Sequence, residues 1–346
     1  MKIRLFYILF LLILVSCKDG GDAVEATSGQ ALVSYAKGFK VFEFDTAYAL
    51  VIGNSRYTFP KKINHPTFIV SSVTQLQFLK ALKIDSAVLG VFDANYFTDS
   101  AITDRLNKKQ VLNFKQPGSP DWELLIKYSK CVVLGYRHFN IDEIMAKKLN
   151  LSIVPINEYE EDHPLGKSEW LKVFGVISGQ YHLADSLFKI IENRYLTMKP
   201  VESDTMIRPK VIAGDYYDGV WTVPGTNSYI ASLVRDAGGD YILKNEKKSI
   251  VMMNKETFSS LLTSAHYWRK LTPNKWDKTS LSKDEIQSLF HVHPERLKGI
   301  IYCDVSKVNY FDAVLLHPEK ELQDFINAFQ NKDTMNFYRL IKVERD

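Results

Sequence analysis

The chain has 346 residues, of which 46% are hydrophobic and 24% charged, and its formal net charge is +4. That charge is small for the length, and its Lys and Arg are scattered among acids, which excludes a nucleic-acid-binding footprint. The length is enough for two lobes rather than one core.

Lys2 and Arg4 precede an unbroken apolar run from Leu5 to Val15. A bilayer span needs about 20 such residues, whereas a basic flank with an apolar core of about 7–15 is the plan of a secretory signal. The run closes on Leu14-Val15-Ser16-Cys17, which resembles a lipobox. That resemblance implies a lipoprotein signal peptide over residues 1–17 and an acylated, palmitate-bearing Cys17 that holds the protein at a membrane. A simple membrane anchor, or an ordinary signal followed by an unrelated cysteine, fits the same residues. Residues 18–34 read as a flexible tether, since Lys18 to Gln30 is rich in Gly, Ser, Asp and Ala and cannot bury a core.

Over residues 35–60, Phe39, Val41, Phe42, Phe44, Tyr48 and Val51 alternate with polar neighbours, which predicts an antiparallel hairpin or meander. Short β-type runs follow at Phe68–Ser71, Ala87–Val91, Cys131–Leu134 and Ser152–Pro155, with helical spacing at Gln75–Leu82 and Ile141–Leu149. Such alternation predicts a mainly parallel sheet covered by helices. From Gln180 to Lys199, Tyr181, Ala184, Phe188, Ile191, Tyr195 and Met198 recur at helical steps. At 1.5 Å per residue this helix is about 30 Å long, enough to act as a spine across two lobes, and Pro200 with the polar Glu202–Thr205 stretch ends it. A second α/β set follows, with strands at Lys210–Ala213, His266–Trp268 and Gly299–Tyr302 and helices at Tyr229–Ala237, Lys255–Ser264 and Glu319–Phe329. The expected fold class is therefore α/β: two Rossmann-like lobes, 35–179 and 200–346, with mainly parallel sheets joined by one long rigid helix, 180–199.

Cys131 and Cys303 each sit in a short apolar run in opposite halves of the chain, which reads as two buried free thiols. The chain contains no Gly-x-Ser-x-Gly, no P-loop and no His-Glu-x-x-His, which argues against an enzyme. His291-Val292-His293 with Glu295 resembles part of a zinc site but needs a further ligand, so no metal site is assigned.

The segment Glu158-Tyr159-Glu160-Glu161-Asp162-His163-Pro164-Leu165-Gly166-Lys167-Ser168-Glu169-Trp170, with Phe174-Gly175, resembles the periplasmic substrate-binding proteins of iron-complex and cobalamin ABC importers. In that family it precedes the long helix joining two α/β lobes. Three further blocks agree in order: Val70 to Gln75, Asp121-Trp122-Glu123 followed by Cys131 to Leu134, and Trp221 to Tyr229 with Asp236 to Tyr241. Together they span about residues 65 to 315.

The resemblance implies a largely preformed interlobe cleft for a metal chelate, with a ferric siderophore first and cobalamin or haem next, delivered to an ABC permease and its ATPase. Loops at strand carboxyl ends should line it. That selects Ser72, Tyr96, Phe97, Phe114, Tyr136, Arg137 and His138 in the first lobe, and Trp221, Tyr229, Lys307 and Tyr310 in the second. Arg137 and Lys307 would face carboxylates or catecholates. By the same resemblance Glu123 and Glu256 would occupy arginine pockets of the permease. The implied state is a monomer in the periplasm, lipid-anchored to the inner membrane, or else to the outer membrane or cell surface. Two other readings stay open: a direct zinc- or manganese-binding protein, and a surface lipoprotein of the same fold acting without a permease.

Overall fold

A computed structural model describes residues 30–64, 66–201, 207–244, 250–272 and 280–344. Cys17, the signal, most of the tether and the Glu202–Thr205 stretch lie outside the described residues.

The first element is an antiparallel meander of β1 (Phe39–Glu43), β2 (Ala47–Ile52) and β3 (Ser55–Pro60), as the alternation predicts. Phe39, Val41, Leu50 and Ile52 all point to its buried face. A parallel five-stranded sheet follows, in order β6-β5-β4-β7-β8, from β4 (Phe68–Val70), β5 (Val88–Val91), β6 (Leu112–Asn113), β7 (Val132–Gly135) and β8 (Ser152–Pro155). Helices α1 (Val73–Ala81), α2 (Ser100–Asn107), α3 (Trp122–Lys127) and α4 (Glu143–Lys148) connect the strands. Each opens on a capping side chain, from Ser72, Asp99, Asp121 and Asp142 respectively, which satisfies an otherwise unpaired N–H group.

Three consecutive helices lead out of this lobe: α5 (Pro164–Glu169), α6 (Leu171–Ser178) and α7 (Tyr181–Met198). The last is the predicted connector, with Tyr181, Ala184, Phe188, Ile191 and Tyr195 buried. It crosses α6 closely because position 175 is glycine: a Cβ there would lie 2.5 Å from that of Ala184.

The second lobe carries a mixed six-stranded sheet, in order β12-β9-β14-β16-β17-β15. Its strands are β9 (Lys210–Ala213), β12 (Asp240–Tyr241), β14 (Tyr267–Thr272), β15 (Ser280–Leu281), β16 (Gly299–Asp304) and β17 (Arg339–Val343), antiparallel at the β16–β17 pair alone. A small antiparallel sheet of β10 (Asp215–Tyr217), β11 (Val220–Pro224) and β13 (Ile250–Met253), which the sequence reading does not contain, continues from the carboxyl end of β9. Helices α8 (Tyr229–Asp236), α9 (Lys255–Ser264), α10 (Lys283–Phe290), α11 (Tyr310–Ala313) and α12 (Pro318–Phe329) complete the lobe.

One apolar cluster runs from Phe68 and Phe78 through Phe174 and Phe188 to Leu322 and Phe325, so the connector is built into a core shared by both lobes. The expected fold class, two mainly parallel α/β lobes joined by one long helix, is the one observed. Cys131 and Cys303 are buried free thiols, with burial pushing the Cys303 thiol up to about 12. Among the described residues no helix is long and apolar enough to cross a membrane.

Candidate functional site

The segment from Glu158 to Trp170 folds as a clasp, and each of its unusual residues has a physical reason. His163 caps α5: its Nδ1 accepts from the Leu165 N–H at 3.1 Å, and Pro164 occupies the first turn, where a missing N–H costs nothing. With Nδ1 accepting, Nε2 is the ring's donor, and it lies 3.3 Å from Asp236 Oδ2 at the end of α8 in the other lobe. Asp236 also accepts from Tyr195 on the connector at 2.8 Å and pairs with Lys199 at 2.7 Å. Burial pushes the Asp236 carboxyl up, but the hydrogen bonds from His163, Lys199 and Tyr195 outweigh it and hold the group below its ordinary range. Two carboxylates of the segment, Glu169 and Glu161, bind the incoming chain. Glu169 accepts the N–H groups of Ser34, Tyr35 and Ala36 at 2.7–2.9 Å, and Glu161 accepts those of Lys37 and Gly38 at 2.9 Å. Gly166 leaves the room: a Cβ there would meet the Tyr35 carbonyl oxygen at 3.2 Å.

Next to this clasp a connected set of polar side chains crosses from one lobe to the other. Ser72, the cap of α1, shares a 2.8 Å hydrogen bond with Thr74, and Thr74 donates to Glu158 at 2.6 Å. Glu158 is buried, and desolvation raises its carboxyl above the usual range. Lys167 is lowered by the same cause, opposed by the charges of Glu158 in the first lobe and Glu321 in the second. Its ammonium lies 5.3 Å from the ring centre of Tyr229. Tyr229 donates to Glu321 at 2.6 Å, as do Tyr310 at 2.6 Å and Tyr338 at 2.7 Å. Arg269, buried on β14, donates to the Tyr310 and Tyr338 hydroxyls at 3.1–3.2 Å. Glu321 is fully buried, and three hydroxyl donors with a nearby guanidinium are what allows a charge there.

Ser72, Tyr229 and Tyr310 are therefore brought together at this interlobe floor. Glu158, Lys167 and Glu321, which complete it, are not among the residues the sequence selects for the site, although the first two lie in the segment that carries the resemblance. Tyr96, His138 and Lys307 are exposed, with Lys307 3.8 Å from Asp304. Arg137 pairs with Glu160 at 3.1 Å, and Tyr136 is half-buried against Phe139.

Three aromatic choices need correction. Phe97 and Phe114 are buried, the latter between Phe92 and Tyr128, because aromatic residues just past a strand fold back over their own lobe. Trp221 is 2% exposed and stacks flat on Phe258 at 3.8 Å. Alternation along β11 turns its neighbours outward instead. Tyr217, Val220, Ile250 and Met252 share the opposite face by strand pairing, and Tyr217 and Met252 are 78% and 73% exposed. The available signal was Asp218-Gly219: both residues have positive φ, +48° and +84°, as a two-residue hairpin turn requires.

Glu123 and Glu256 are exposed in the first turns of α3 and α9, behind the capping residues Asp121 and Asn254. Both helices run back toward the starts of strands, β7 and β14, so both acids lie on the strand-carboxyl side of their lobes. Two cavities sit at the seam. One of about 350 Å³ lies between Gln77, Asp99 and Asp312, and one of about 360 Å³ between Tyr35, His163 and Arg235. A third, of about 1100 Å³, lies within the first lobe and takes in Tyr136 and Arg137. Among the described residues no three His, Cys, Asp or Glu side chains gather as a metal-ligand set.

No protein-family model matches the chain. An uncharacterized lipoprotein of Methanocaldococcus jannaschii is 26% identical over 307 residues, covering 83% of this chain and 72% of that one. Solved structures with similar folds include an ABC transporter substrate-binding protein of Listeria monocytogenes, 17% identical, with a TM-score of 0.54 over 76% of this chain and 98% of that one. The triscatecholate siderophore binding protein of Bacillus subtilis is 11% identical, with a TM-score of 0.55 over 82% and 98% of the two chains. A periplasmic heme binding protein of Vibrio cholerae is 14% identical, with a TM-score of 0.53 over 78% and 98%. Two mainly parallel α/β lobes joined by one helical connector are thus a fold that this chain shares with these solved binding proteins.

Proposed function

We propose that this chain is a solute-binding lipoprotein that captures a metal chelate between its lobes and delivers it to an ABC permease. The observation that carries the reading is the single connector α7 buried in a core common to both lobes, with a polar system spanning the seam beside it. Such a connector restricts opening to a small hinge and suits a largely preformed site for a bulky, rigid ligand. The exposed face of Tyr217, Val220, Ile250 and Met252 supplies apolar surface at the strand-carboxyl side of the second lobe. Arg137 and Lys307 supply positive charge for catecholate or carboxylate arms. Proteins of this fold bind a triscatecholate siderophore in one case and heme in another, which supports a ferric siderophore as the first candidate and haem as the second, with cobalamin after them.

Delivery would use Glu123 and Glu256, one exposed acid on each lobe, against cationic pockets of the permease, whose ATPase drives release. Cys17 would hold the protein at the outer face of a membrane, through a lipid. The deciding experiment is quenching of intrinsic tryptophan fluorescence by ferric catecholate and hydroxamate siderophores, haem and cyanocobalamin. One member should saturate with a dissociation constant of about 1 µM or tighter, roughly −8 kcal/mol. If every member quenches linearly without saturation, the chelate reading is wrong.

A further inference from the structure

The cavity of about 1100 Å³ belongs to neither seam nor connector: its walls are the meander β1–β3 on one side and β8 with α4 on the other. Among the described residues, none of the second lobe lines it. Part of its lining is apolar, from Phe39, Ile52, Phe139 and Ile153, beside the polar Ser55, Ser152 and Asn157. Its rim carries four cations, Lys37, Lys40, Arg137 and Lys147. Two of them are already matched, Lys37 by Asp162 at 2.6 Å and Arg137 by Glu160 at 3.1 Å. Lys40 and Lys147 have no acidic partner among the described residues. One edge is open as well, because among the described residues β8 pairs with β7 and with no other strand. Half-buried Tyr57 and Tyr136 also line the cavity.

An apolar lining shared with two ammonium groups that have no acidic partner discriminates by charge and by body. A neutral apolar molecule leaves the cations unmatched, and a small inorganic anion leaves the apolar lining wet. A molecule with one acidic group on a ring system or short chain satisfies both. We propose that this cavity is a second binding site, separate from the interlobe cleft, for a small amphiphilic anion whose acidic group is held by Lys40 and Lys147. The proposal rests on Lys40 and Lys147, which the solute-binding reading does not use, although Arg137, already matched by Glu160, figures in both.

The test is photolabelling of the full chain in membranes with 4-benzoylbenzoate, an aromatic carboxylate, followed by peptide mapping. Saturable labelling is expected on peptides covering residues 37–57 and 136–155. The Lys40→Glu/Lys147→Glu protein should need about tenfold more probe for the same labelling, the scale of two partly exposed charge contacts turned repulsive. Labelling by neutral benzophenone should not change. Competition by 1-naphthoate would identify an aromatic anion as the occupant, and competition by decanoate an acyl one. Labelling that fails to saturate, maps to the second lobe, ignores the charge reversal, or yields to neither competitor overturns the proposal. A Tyr229→Phe variant, altered at the interlobe floor alone, should label normally; loss of labelling there would also overturn it.

Discussion

Glu169 and Glu158 are both buried carboxylates of the same segment, and their surroundings give them opposite effects on stability. Glu169 accepts three consecutive backbone N–H groups and the Lys172 ammonium at 2.9 Å. Its removal leaves those donors inside the protein without partners, although Lys172 keeps Asp185 at 3.2 Å. Glu169→Ala should therefore cost about 3 kcal/mol or more in urea unfolding, the range for orphaning a buried charged group and its donors. Hydrogen exchange at Ser34 to Ala36 should accelerate to match; unchanged protection there would show that the strap is held by something else. Glu158 has one hydroxyl donor, Thr74, and desolvation raises its folded pKa above the unfolded value of about 4.3. A raised carboxyl destabilises the fold while ionised, and that cost fades as pH falls through the folded value toward the unfolded one. Glu158→Gln, which can still accept from Thr74, should therefore raise the melting temperature at pH 7 and lose its advantage near pH 4. A lower melting temperature at pH 7 would mean that pairing with Lys167 outweighs desolvation.

Helix α7 and its contact with α6 show how a local preference can lose to packing. Alanine is favoured over glycine within a helix by about 1 kcal/mol. At position 175 the added methyl would sit 2.5 Å from the Cβ of Ala184 and 3.0 Å from the Cα of Tyr181, and overpacking of this kind costs roughly 1–3 kcal/mol. The contact should win, so Gly175→Ala destabilises by about 1–2 kcal/mol in chemical denaturation. Adding Ala184→Gly should recover part of the loss through removal of the facing methyl, a coupling that a double-mutant cycle reads directly. Additive effects would show that the helices separate freely. The helix itself was legible in the sequence, because five core residues at three- and four-residue steps leave one solution. Strands β8 and β9 were equally plain as short apolar runs. The small sheet β10-β11-β13 was not, since Tyr216 to Val223 is rich in aromatic and β-branched residues on both faces and pattern alone does not say which face is inward. Only the register of the Asp218-Gly219 turn fixes that, and a shift of one residue exchanges Trp221 for Val220. The roles of Glu158, Lys167 and Glu321 were illegible for another reason: although the first two lie in the segment that carries the resemblance, their partners Thr74, Tyr229 and Glu321 come from distant parts of the chain, and no local spacing records it.

At the scale of the whole molecule, the proposed capture and delivery would use different surfaces, and this separation can be tested. Glu123 and Glu256 are solvent-exposed helix acids, one on each lobe, and neither contributes to the interlobe floor or to a cavity lining described above. Their placement in first helical turns, where the dipole favours an acid, would suit a purely local role equally well. The two roles predict different phenotypes. A local role makes the Glu123→Ala/Glu256→Ala protein slightly less stable, with transport intact. A docking role leaves stability and chelate affinity unchanged while uptake collapses, because truncating one side of a buried interfacial charge pair costs about 2–5 kcal/mol through the partner left unpaired. Reversal to lysine should be worse than alanine, since it adds repulsion, and the deficit should shrink at high salt, which screens that repulsion. The counterpart is Tyr217→Ser/Met252→Ser on the exposed sheet face, expected to weaken chelate binding about tenfold or more, as loss of two apolar contacts would. That variant should still compete with the native protein for the permease. Uptake and binding measured side by side on both variants decide the matter. If the double alanine variant loses chelate binding while competing normally, the docking and cleft surfaces have been assigned the wrong way round.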